Sequence, residues 1–325
     1  MRIVILERNR IVSRRIARVF TSAGLDAVCV EDPADLSGPI DSADLLAADT
    51  FDGDLVVATC NAKPRLRALL WTAEPLKHTL RYVVDAPQIS NVMGRKDFES
   101  TPRPWELLMV ARRLSRPSEP GPPFSSFVDW GFTGFQHKIA TTEARNAAVE
   151  NVQRFINNLG VPKRISEMFG ELTHEMLMNG MFDAPADADG RAKYASDRKA
   201  QLALPESEQP LLQVATDGTR LAIQVGDPFG RLQRKHVFEG LARGLTGGEL
   251  DTSHGGAGLG MVVCHNNTAG LFFDVVPGKK TEVTGVFELD LNLREFRTQA
   301  KSLHFFHRDE TILSNPGASG AARAA

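Results

Sequence analysis

Cysteine and tyrosine are scarce in this chain, which has three of the first and two of the second among its 325 residues. Cys29, Cys60 and Cys264 lie far apart, which excludes the close spacing of a zinc ribbon or a dithiol redox motif. No apolar run approaches the roughly 20 residues that span a bilayer. The opening MRIVILERNR meets a charge at Glu7 and does not continue into the apolar core of a signal peptide. These absences predict a cytoplasmic protein with reduced cysteines and no membrane partner.

A large excess of one charge sign is missing too, because the formal net charge is −2. Such a balance gives no electrostatic reason to expect nucleic acid as a partner. The hydrophobic fraction of 42% is that of an ordinary globular chain. At 325 residues the chain exceeds one typical domain and predicts two.

The first part of the chain alternates short apolar strands with amphipathic helices. Strands are predicted at 2–7, 26–32, 52–60 and 79–86, and helices at 9–24 and 104–115. This rhythm predicts an α/β domain over 1–116, a flavodoxin-like parallel sheet with helices on both faces. The proline- and serine-rich segment that follows predicts a linker over 117–135.

The second part predicts helices packed on a largely antiparallel sheet, an α/β sandwich over 136–297. Helices are expected at about 141–159 and 163–181, and a hairpin at 210–230 around Asp217-Gly218. The apolar segments GLFFDVVP and TEVTGVFELDL predict two further strands. Residues 298–325 are expected to form a partly disordered C-terminal tail.

The stretch GGAGLG at 255–260 is typical of a turn in which backbone N–H groups approach a phosphate. A dinucleotide-binding fold requires an apolar strand running straight into such glycines, and LARGLTGGELDTSH contains none. A P-loop requires Lys-Ser or Lys-Thr after the last glycine, and this is missing as well. A phosphate-binding role for these glycines therefore requires a nucleotide-binding fold other than these two.

The helix at 163–181 places two polar residues on an apolar stripe. Met168, Leu172, Glu175 and Asn179 share one face at helical spacing. Burying a carboxylate or an amide is costly unless something pairs with it. The pair therefore indicates a functional site, and the alternative is that both groups cap a neighbouring strand or bind buried water.

Taken in order, the segments ELTHEMLMNGM, DPFG, GGAGLG and KKTEVTGVFEL resemble the motifs of the GHKL (Bergerat) superfamily of ATP-binding domains. This superfamily includes gyrase, histidine kinases, MutL-type repair proteins and anti-sigma serine kinases. The first segment resembles the N-box, with Glu175 and Asn179 at the signature spacing. The next two resemble the G1 and G2 boxes, and Thr281 stands at the position of the family threonine.

The resemblance implies ATP and Mg²⁺ as cofactors. It implies that Asn179 coordinates Mg²⁺ and that Glu175 is the catalytic residue, orienting or deprotonating an attacking group. Asp227 would accept a hydrogen bond from the adenine amino group. The other implied nucleotide-binding residues are Gly230, Gly256, Gly258, Gly260 and Thr281, and residues 231–254 would form a lid.

Two departures from the family pattern stand out. The DPFG segment has a single glycine, Gly230, after Pro228 and Phe229, where the family has two. The N-box continues into Phe182 and Asp183, and an acid near the phosphates opposes triphosphate binding unless a cation compensates it.

A zinc-protease motif is excluded at the same segment. HEMLMN lacks the second histidine of a zinc protease, because residue 178 is Met178.

The first domain resembles a response-regulator receiver. A receiver has an acidic pair after its first strand and a phosphoacceptor aspartate after its third. Here Glu7 is followed by Arg8, and the strand predicted at 52–60 places Thr59 or Cys60 at the acceptor position. Without a carboxylate there is no acyl-phosphate chemistry, so a protein-binding pseudo-receiver is expected. The alternative is an unrelated flavodoxin-like domain.

The layout is most similar to the anti-sigma serine-kinase branch. It predicts an ATP-binding signalling protein that acts as a kinase or a nucleotide-gated regulator of a partner protein. The alternative is a non-catalytic scaffold built from two degenerate domains, and a homodimer is compatible with either. His304 and His307 are expected to be surface or packing residues.

Overall fold

The computed structural model describes residues 1–187, 189–246, 257–290 and 292–308. Within these ranges no helix has both the length and the apolar character needed to cross a membrane. The chain divides into two compact units. Of the described residues, the first contains those in Met1–Ser115, Arg234–Leu271 and Val286–His304, and the second contains those in Arg116–Gln233 and Phe272–Gly285 and residues 305–308.

The first half of the chain forms these elements in order: β1 (Arg2–Leu6), α1 (Arg10–Ser22), β2 (Asp26–Val30), α2 (Ser37–Ile40), β3 (Leu45–Asp49), α3 (Gly53–Ala62), β4 (Arg67–Thr72), α4 (Leu76–Asp85), β5 (Ile89–Gly94), α5 (Pro104–Ser115), β6 (Thr133–Lys138) and α6 (Thr142–Asn157).

The second half continues with α7 (Lys163–Met178), β7 (Leu211–Thr216), β8 (Arg220–Asp227), α8 (Arg234–Thr246), α9 (Ala257–Asn266), β9 (Gly270–Val276), β10 (Lys280–Glu288), α10 (Leu293–Thr298) and β11 (Ser302–His307). A single π-helical turn, Asn179–Asp183, directly follows α7.

The first unit contains a parallel sheet in the strand order β2-β1-β3-β4-β5. Its central strands are buried on both faces, as the apolar run Ile3–Leu6 illustrates. An antiparallel partner follows β5, because Leu303 and His304 of β11 pair with Val92 and Asn91. This is the flavodoxin-like order, in which the connections reverse direction between β1 and β3.

Two predicted strands of this unit are wrong, since 52–60 and 79–86 fall in helices α3 and α4. A short apolar run has no decisive period, and DLVVATC fits a strand or a helix equally well. In the folded chain Val56 and Cys60, four residues apart, are the buried side of α3. The actual third strand, LLAAD, comes earlier, and β4 and β5 were not predicted.

The second unit contains strands in the order β9-β10-β8-β7-β6. β6, β7 and β8 are antiparallel, with Gln213 opposite Gln136 on one side and Gln224 on the other. Helices α6 and α7 pack against each other, and α7 also packs on β8. The predicted helices and hairpin of this region are confirmed at the level of their elements.

The hairpin turn between β7 and β8 has the predicted chemistry. Gly218 has a φ of +88°, which a glycine adopts without strain. The Asp217 carboxylate accepts hydrogen bonds from the backbone N–H groups of Thr219 and Arg220. The turn residues and the alternating apolar pattern of the two strands therefore favour the same hairpin. This agreement explains why the sequence alone located it.

The region expected to be a tail contains a strand. β11 lies at Ser302–His307, and its first five residues are buried. The expected lid, 231–254, contains α8 as far as Thr246, and residues 247–254 are outside the described residues. In the first unit α8 packs on α4, where Arg234 donates to the carbonyl oxygens of Ala86 and Ile89.

Candidate functional site

The predicted nucleotide-binding residues are divided between the two units. Glu175, Asn179, Asp227, Gly230 and Thr281 lie in the second unit. Gly258 and Gly260 lie in the first unit, within α9. Gly256 lies outside the described residues.

Asp227 ends β8 and organises the turn that follows. Its Oδ1 accepts hydrogen bonds from the backbone N–H groups of Phe229 at 2.9 Å and Gly230 at 3.3 Å. Burial raises the pKa of Asp227 to about 6, while these two hydrogen bonds and others from Thr281 act to lower it. The structure thus brings Asp227, Gly230 and Thr281 together.

The turn after Asp227 requires a glycine at position 230. Its φ is +63°, and a Cβ built on it would lie 2.0 Å from the carbonyl oxygen of Val276. Both the conformation and the lack of space exclude a side chain. A backbone that passes this close to a neighbouring strand leaves the turn little freedom, so the Asp227 carboxylate is held in one position.

The end of α7 lies beside this turn. A Cβ on Gly180 would lie 3.4 Å from Cγ1 of Val225, two residues before Asp227. Arg231, next to Gly230, donates to the carbonyl oxygens of Ala184 at 3.1 Å and Gly190 at 2.6 Å. The segment at the end of α7 and the Asp227 turn therefore lie next to each other in the second unit.

Asn179 begins the π-helical turn at the end of α7, an irregularity that occurs often at functional sites. Its side-chain Oδ1 accepts a hydrogen bond from Nη2 of Arg198 at 3.3 Å. The same Nη2 forms an ion pair with Asp183. The negative charge of Asp183 is thus compensated by Arg198, which lies in the following loop.

A second arginine, Arg145, contacts Met178, the residue before Asn179. Arg145 of α6 is 8% exposed, and its Nη1 lies 2.6 Å from Sδ of Met178. Burial lowers the pKa of His174, the positive charges of Arg145 and Arg198 lower it further, and Glu175 acts in the opposite direction. Glu175, half-buried on α7, therefore belongs to a mixed cluster of charges.

A second candidate site lies at the carboxyl edge of the parallel sheet in the first unit. Ligands of doubly wound sheets bind at this edge, where the strand order reverses between β1 and β3. Glu7 directly follows β1, and Asp49 is the last residue of β3. The placement of Thr59 or Cys60 at the acceptor position is wrong, because both belong to α3, and a carboxylate does end the third strand.

Arg95, the first residue after β5, lies between these two carboxylates. Its Nη1 donates to Oε2 of Glu7 at 3.0 Å, and its Nη2 lies 2.7 Å from Oδ2 of Asp49. The side chains of Arg95 and Glu7 are 2% and 4% exposed, and that of Asp49 is 6% exposed. One buried guanidinium therefore pairs with both acids.

The remaining carboxylate oxygens also have partners. Oε1 of Glu7 accepts from the backbone N–H of Asn9, and Oε2 also accepts from the indole N–H of Trp71 at 3.0 Å. Oδ1 of Asp49 accepts from the backbone N–H of Phe51 at 2.7 Å. Burial raises the pKa of Asp49 to about 6, although Arg95 acts to lower it.

The surroundings of this charge cluster are exposed and partly apolar. Phe51 is 70% exposed, with the Arg8 guanidinium 4.6 Å above its ring centroid. Phe98, 48% exposed, has the Arg95 guanidinium 5.4 Å from its ring centroid. Ile11, in the first turn of α1, is 64% exposed. Because these residues follow β3, β5 and β1, they share the carboxyl edge of the sheet.

The described residues of the first unit also contain a buried polar network away from this edge. His304 and Glu106, neither exposed, lie 2.7 Å apart from Nε2 to Oε1, and Nδ1 of His304 lies 3.0 Å from Oδ1 of Asn91. Arg103 pairs with Glu106 at 3.1 Å and with Glu288 at 2.9 Å. His304 is therefore a packing residue, whereas His307 is exposed.

Comparisons with known proteins give likenesses for the beginning of the chain. No protein-family model and no curated protein matches it. An atypical orphan response regulator is 16% identical, with a TM-score of 0.29, over 35% of this chain and 92% of its own. A pilus assembly protein (CpaE) of Burkholderia thailandensis is 16% identical, with a TM-score of 0.30, over 35% of this chain and 98% of its own.

An orphan response regulator of H. pylori, HP1043, is 15% identical, with a TM-score of 0.29, over 35% of this chain and 96% of its own. These structural neighbours are receiver-like proteins and cover only the N-terminal 35% of the chain. They do not extend to the second unit's candidate site.

Proposed function

We propose that this is a signal-transduction protein whose first unit is a receiver-like regulatory domain that works without phosphorylation, and whose second unit binds an adenine nucleotide. The observation that carries the first half is Arg95, buried between Glu7 and Asp49. Phosphoryl transfer to an aspartate needs a carboxylate oxygen free to attack and a cation to neutralise the phosphate. Here both oxygens of Asp49 are engaged and the cation is part of the chain.

The exposed surroundings of this charge cluster support a role in protein binding. An apolar surface around a charged centre is typical of protein contact sites, where buried aromatic side chains contribute most of the affinity. Phe51, beside Arg8, and Phe98, beside Arg95, offer such side chains. We propose that a signalling partner docks at this edge of the sheet and that the Arg95 ion pairs hold the edge in its binding shape.

Incubation of the full chain with acetyl phosphate and Mg²⁺ tests the absence of phosphorylation. We expect no phosphate adduct on Asp49 by mass spectrometry of the intact protein and its peptides. A stoichiometric adduct that disappears in Asp49→Asn would overturn this half of the proposal. A receiver domain with an exposed acceptor, treated in the same way, shows that the reagent is active.

The second half of the proposal is supported by the Asp227 turn. The buried carboxylate at the end of β8, which is oriented by the backbone N–H groups of Phe229 and Gly230, offers the oxygen acceptors that suit an exocyclic amino group such as that of adenine. Gly230 lets the chain turn beside it without a side chain. We propose that nucleotide binding here regulates a protein partner, with Glu175 as the catalytic residue if phosphate is transferred.

Melting of the full chain with adenosine, ADP and ATP tests nucleotide binding. A ligand at 100 times its Kd stabilises a folded protein by about 2.7 kcal/mol, which is a measurable shift in Tm. We expect the shift to disappear in Asp227→Ala and to persist in a variant of exposed Glu206. No shift with any of the three would favour the scaffold alternative, in which neither unit binds nucleotide.

Label transfer from ATP to a protein separates a kinase from a nucleotide-gated regulator. In the kinase reading a partner becomes labelled and the label is lost in Glu175→Gln. In the gating reading ATP changes partner affinity with no label on either protein, because the nucleotide only shifts a conformational equilibrium.

A further inference from the structure

We infer that the phosphate end of the proposed nucleotide site is built from Arg145 and Arg198 and binds phosphate without a divalent cation. The inference rests on the proposed nucleotide binding of the second unit. It differs from what the motif resemblance implies, which is a Mg²⁺ ion on Asn179. The arrangement around Asn179 does not fit that ion, for the following reasons.

The amide oxygen of Asn179 already has a cationic partner. Nη2 of Arg198 lies 3.3 Å from this oxygen and also pairs with the carboxylate of Asp183. A Mg²⁺ on the same oxygen would stand next to a guanidinium and be repelled by it. Mg²⁺ also prefers carboxylate ligands, and the nearby carboxylate of Asp183 is already paired with the arginine. Arg198 therefore pairs with the amide oxygen to which the resemblance assigns the metal.

Arg145 supplies a second, more deeply buried cation. At 8% exposure it is among the buried charged residues, and its guanidinium contacts the Met178 sulfur and the Asn146 amide oxygen at 3.0 Å. Within the described part of the chain, both of these partners are uncharged. A buried guanidinium is stabilised by an anion, and its planar set of N–H donors matches a phosphate group.

The guanidinium groups of Arg145 and Arg198 both contact the region where α7 ends. They contact consecutive residues, Met178 and Asn179, and the charges of both lower the pKa of His174 one turn earlier. The described hydrogen bonds of Arg198 use only Nη2, in a group with five N–H donors. In the inferred site a phosphate beside Met178 and Asn179 takes donors from both arginines, and Asp183 keeps its pair with Arg198.

Arg231 connects the Asp227 turn to the segment that contains Asp183, the ion-pair partner of Arg198. Arg231 joins the turn after Asp227 to the loop that follows Asp183 through its bonds to Ala184 and Gly190. The carboxylate at one end suits the base, and the guanidiniums at the other end suit the phosphates. The ligand class is therefore an adenine nucleotide with at least one phosphate, free of metal.

Titration calorimetry on the full chain with adenosine, ADP and ATP, each in EDTA and in Mg²⁺, tests this. We expect ADP and ATP to bind in EDTA with affinities within about twofold of those in Mg²⁺, and about tenfold or more above adenosine. Arg198→Met and Arg145→Met should reduce ADP affinity to that of adenosine and leave adenosine binding unchanged. Arg164→Met, on the exposed start of α7, should change neither.

The outcomes are distinguishable. ADP binding that requires Mg²⁺, with adenosine binding retained, would overturn the inference and leave the proposed nucleotide site in place. Failure of all three ligands to bind would remove the proposed function and the inference with it. If Arg145→Met does not fold, Arg145→Lys keeps the charge but loses the planar donor set, and reduced ADP affinity with intact adenosine binding is expected. The EDTA comparison needs no variant.

Discussion

Nη2 of Arg95 lies 2.7 Å from Oδ2 of Asp49, and both side chains are almost completely buried. The pair joins the residue after β5 to the last residue of β3, at the edge of the parallel sheet where its connections reverse. Glu7 completes the arrangement as the second carboxylate of the same guanidinium. Without Arg95 this edge of the sheet would bury two carboxylates with no cation beside them. The chain itself therefore supplies the cation.

Arg95→Met is expected to reduce the free energy of unfolding by about 3–5 kcal/mol, because it leaves buried carboxylates without their cation. Urea denaturation measures this loss. Arg10→Met is the matched control, since Arg10 forms an exposed ion pair with Glu31 and should cost about 1 kcal/mol or less. Equal losses in the two variants would contradict the structural role of Arg95.

The stability of the first unit should depend on the protonation of Asp49. Its pKa is raised to about 6 in the folded chain, so the folded state holds this proton more tightly than the unfolded state. That contribution is fully present below the unfolded pKa of about 4 and is lost as pH rises through about 6.

Thermal melting of the wild type and of Asp49→Asn between pH 4 and pH 8 checks this dependence. The Tm of the wild type relative to the variant should fall as pH rises to about 6 and stay level above it. A relative Tm that rises over the same range would show that Arg95 outweighs burial at this carboxyl group.

Gly230→Ala and Gly218→Ala separate two costs of a side chain at positive φ. Gly218, at φ +88°, has open space around its Cα, so its variant should lose about 1 kcal/mol of stability from conformation alone. Gly230 adds a Cβ contact of 2.0 Å with the Val276 carbonyl oxygen, so its loss should be clearly larger. Similar losses by chemical denaturation would mean that the Asp227 turn can relax.

The network around His304 predicts a large effect of a single truncation. Glu106→Ala leaves Arg103 and His304 without their shared carboxylate in an almost completely buried site, and a loss of about 3–5 kcal/mol is expected. Asp41→Ala, which removes an exposed pair with Lys63, should change stability by about 1 kcal/mol or less. Denaturant titration compares the two, and a small loss for Glu106→Ala would argue against the network.

Nucleotide binding by the second unit should weaken in acid. Protonation of Asp227 below its pKa of about 6 removes the charge that receives the adenine amino group. Adenosine affinity, measured by calorimetry from pH 5 to pH 8, should therefore rise with pH and level off above about 7. Asp227→Asn should bind more weakly and without this rise, and a persistent pH dependence in the variant would assign it to another group.

Local patterns predicted the second unit's elements well and the first unit's poorly. The long helices α6 and α7 have a clear period and a clear start, since the Thr141 side chain caps α6. The run DLVVATC has neither, and its misassignment moved the expected acceptor position from Asp49 to Thr59 or Cys60. An apolar run that ends in aspartate, LLAAD, was the signal for the actual position, and only its pairing with β1 and β4 distinguishes it from a helix.

By itself the sequence determined the α/β class, the order of the motif segments and the turn residues Asp217, Gly218, Asp227 and Gly230, because these depend on near neighbours in the chain. Only the tertiary structure decided which charges meet. Arg95 is 88 residues from Glu7, and Arg198 reaches Asn179 from a loop 19 residues away. Such pairs form because strand order and loop path bring distant positions together, and burial then makes each charge require its partner.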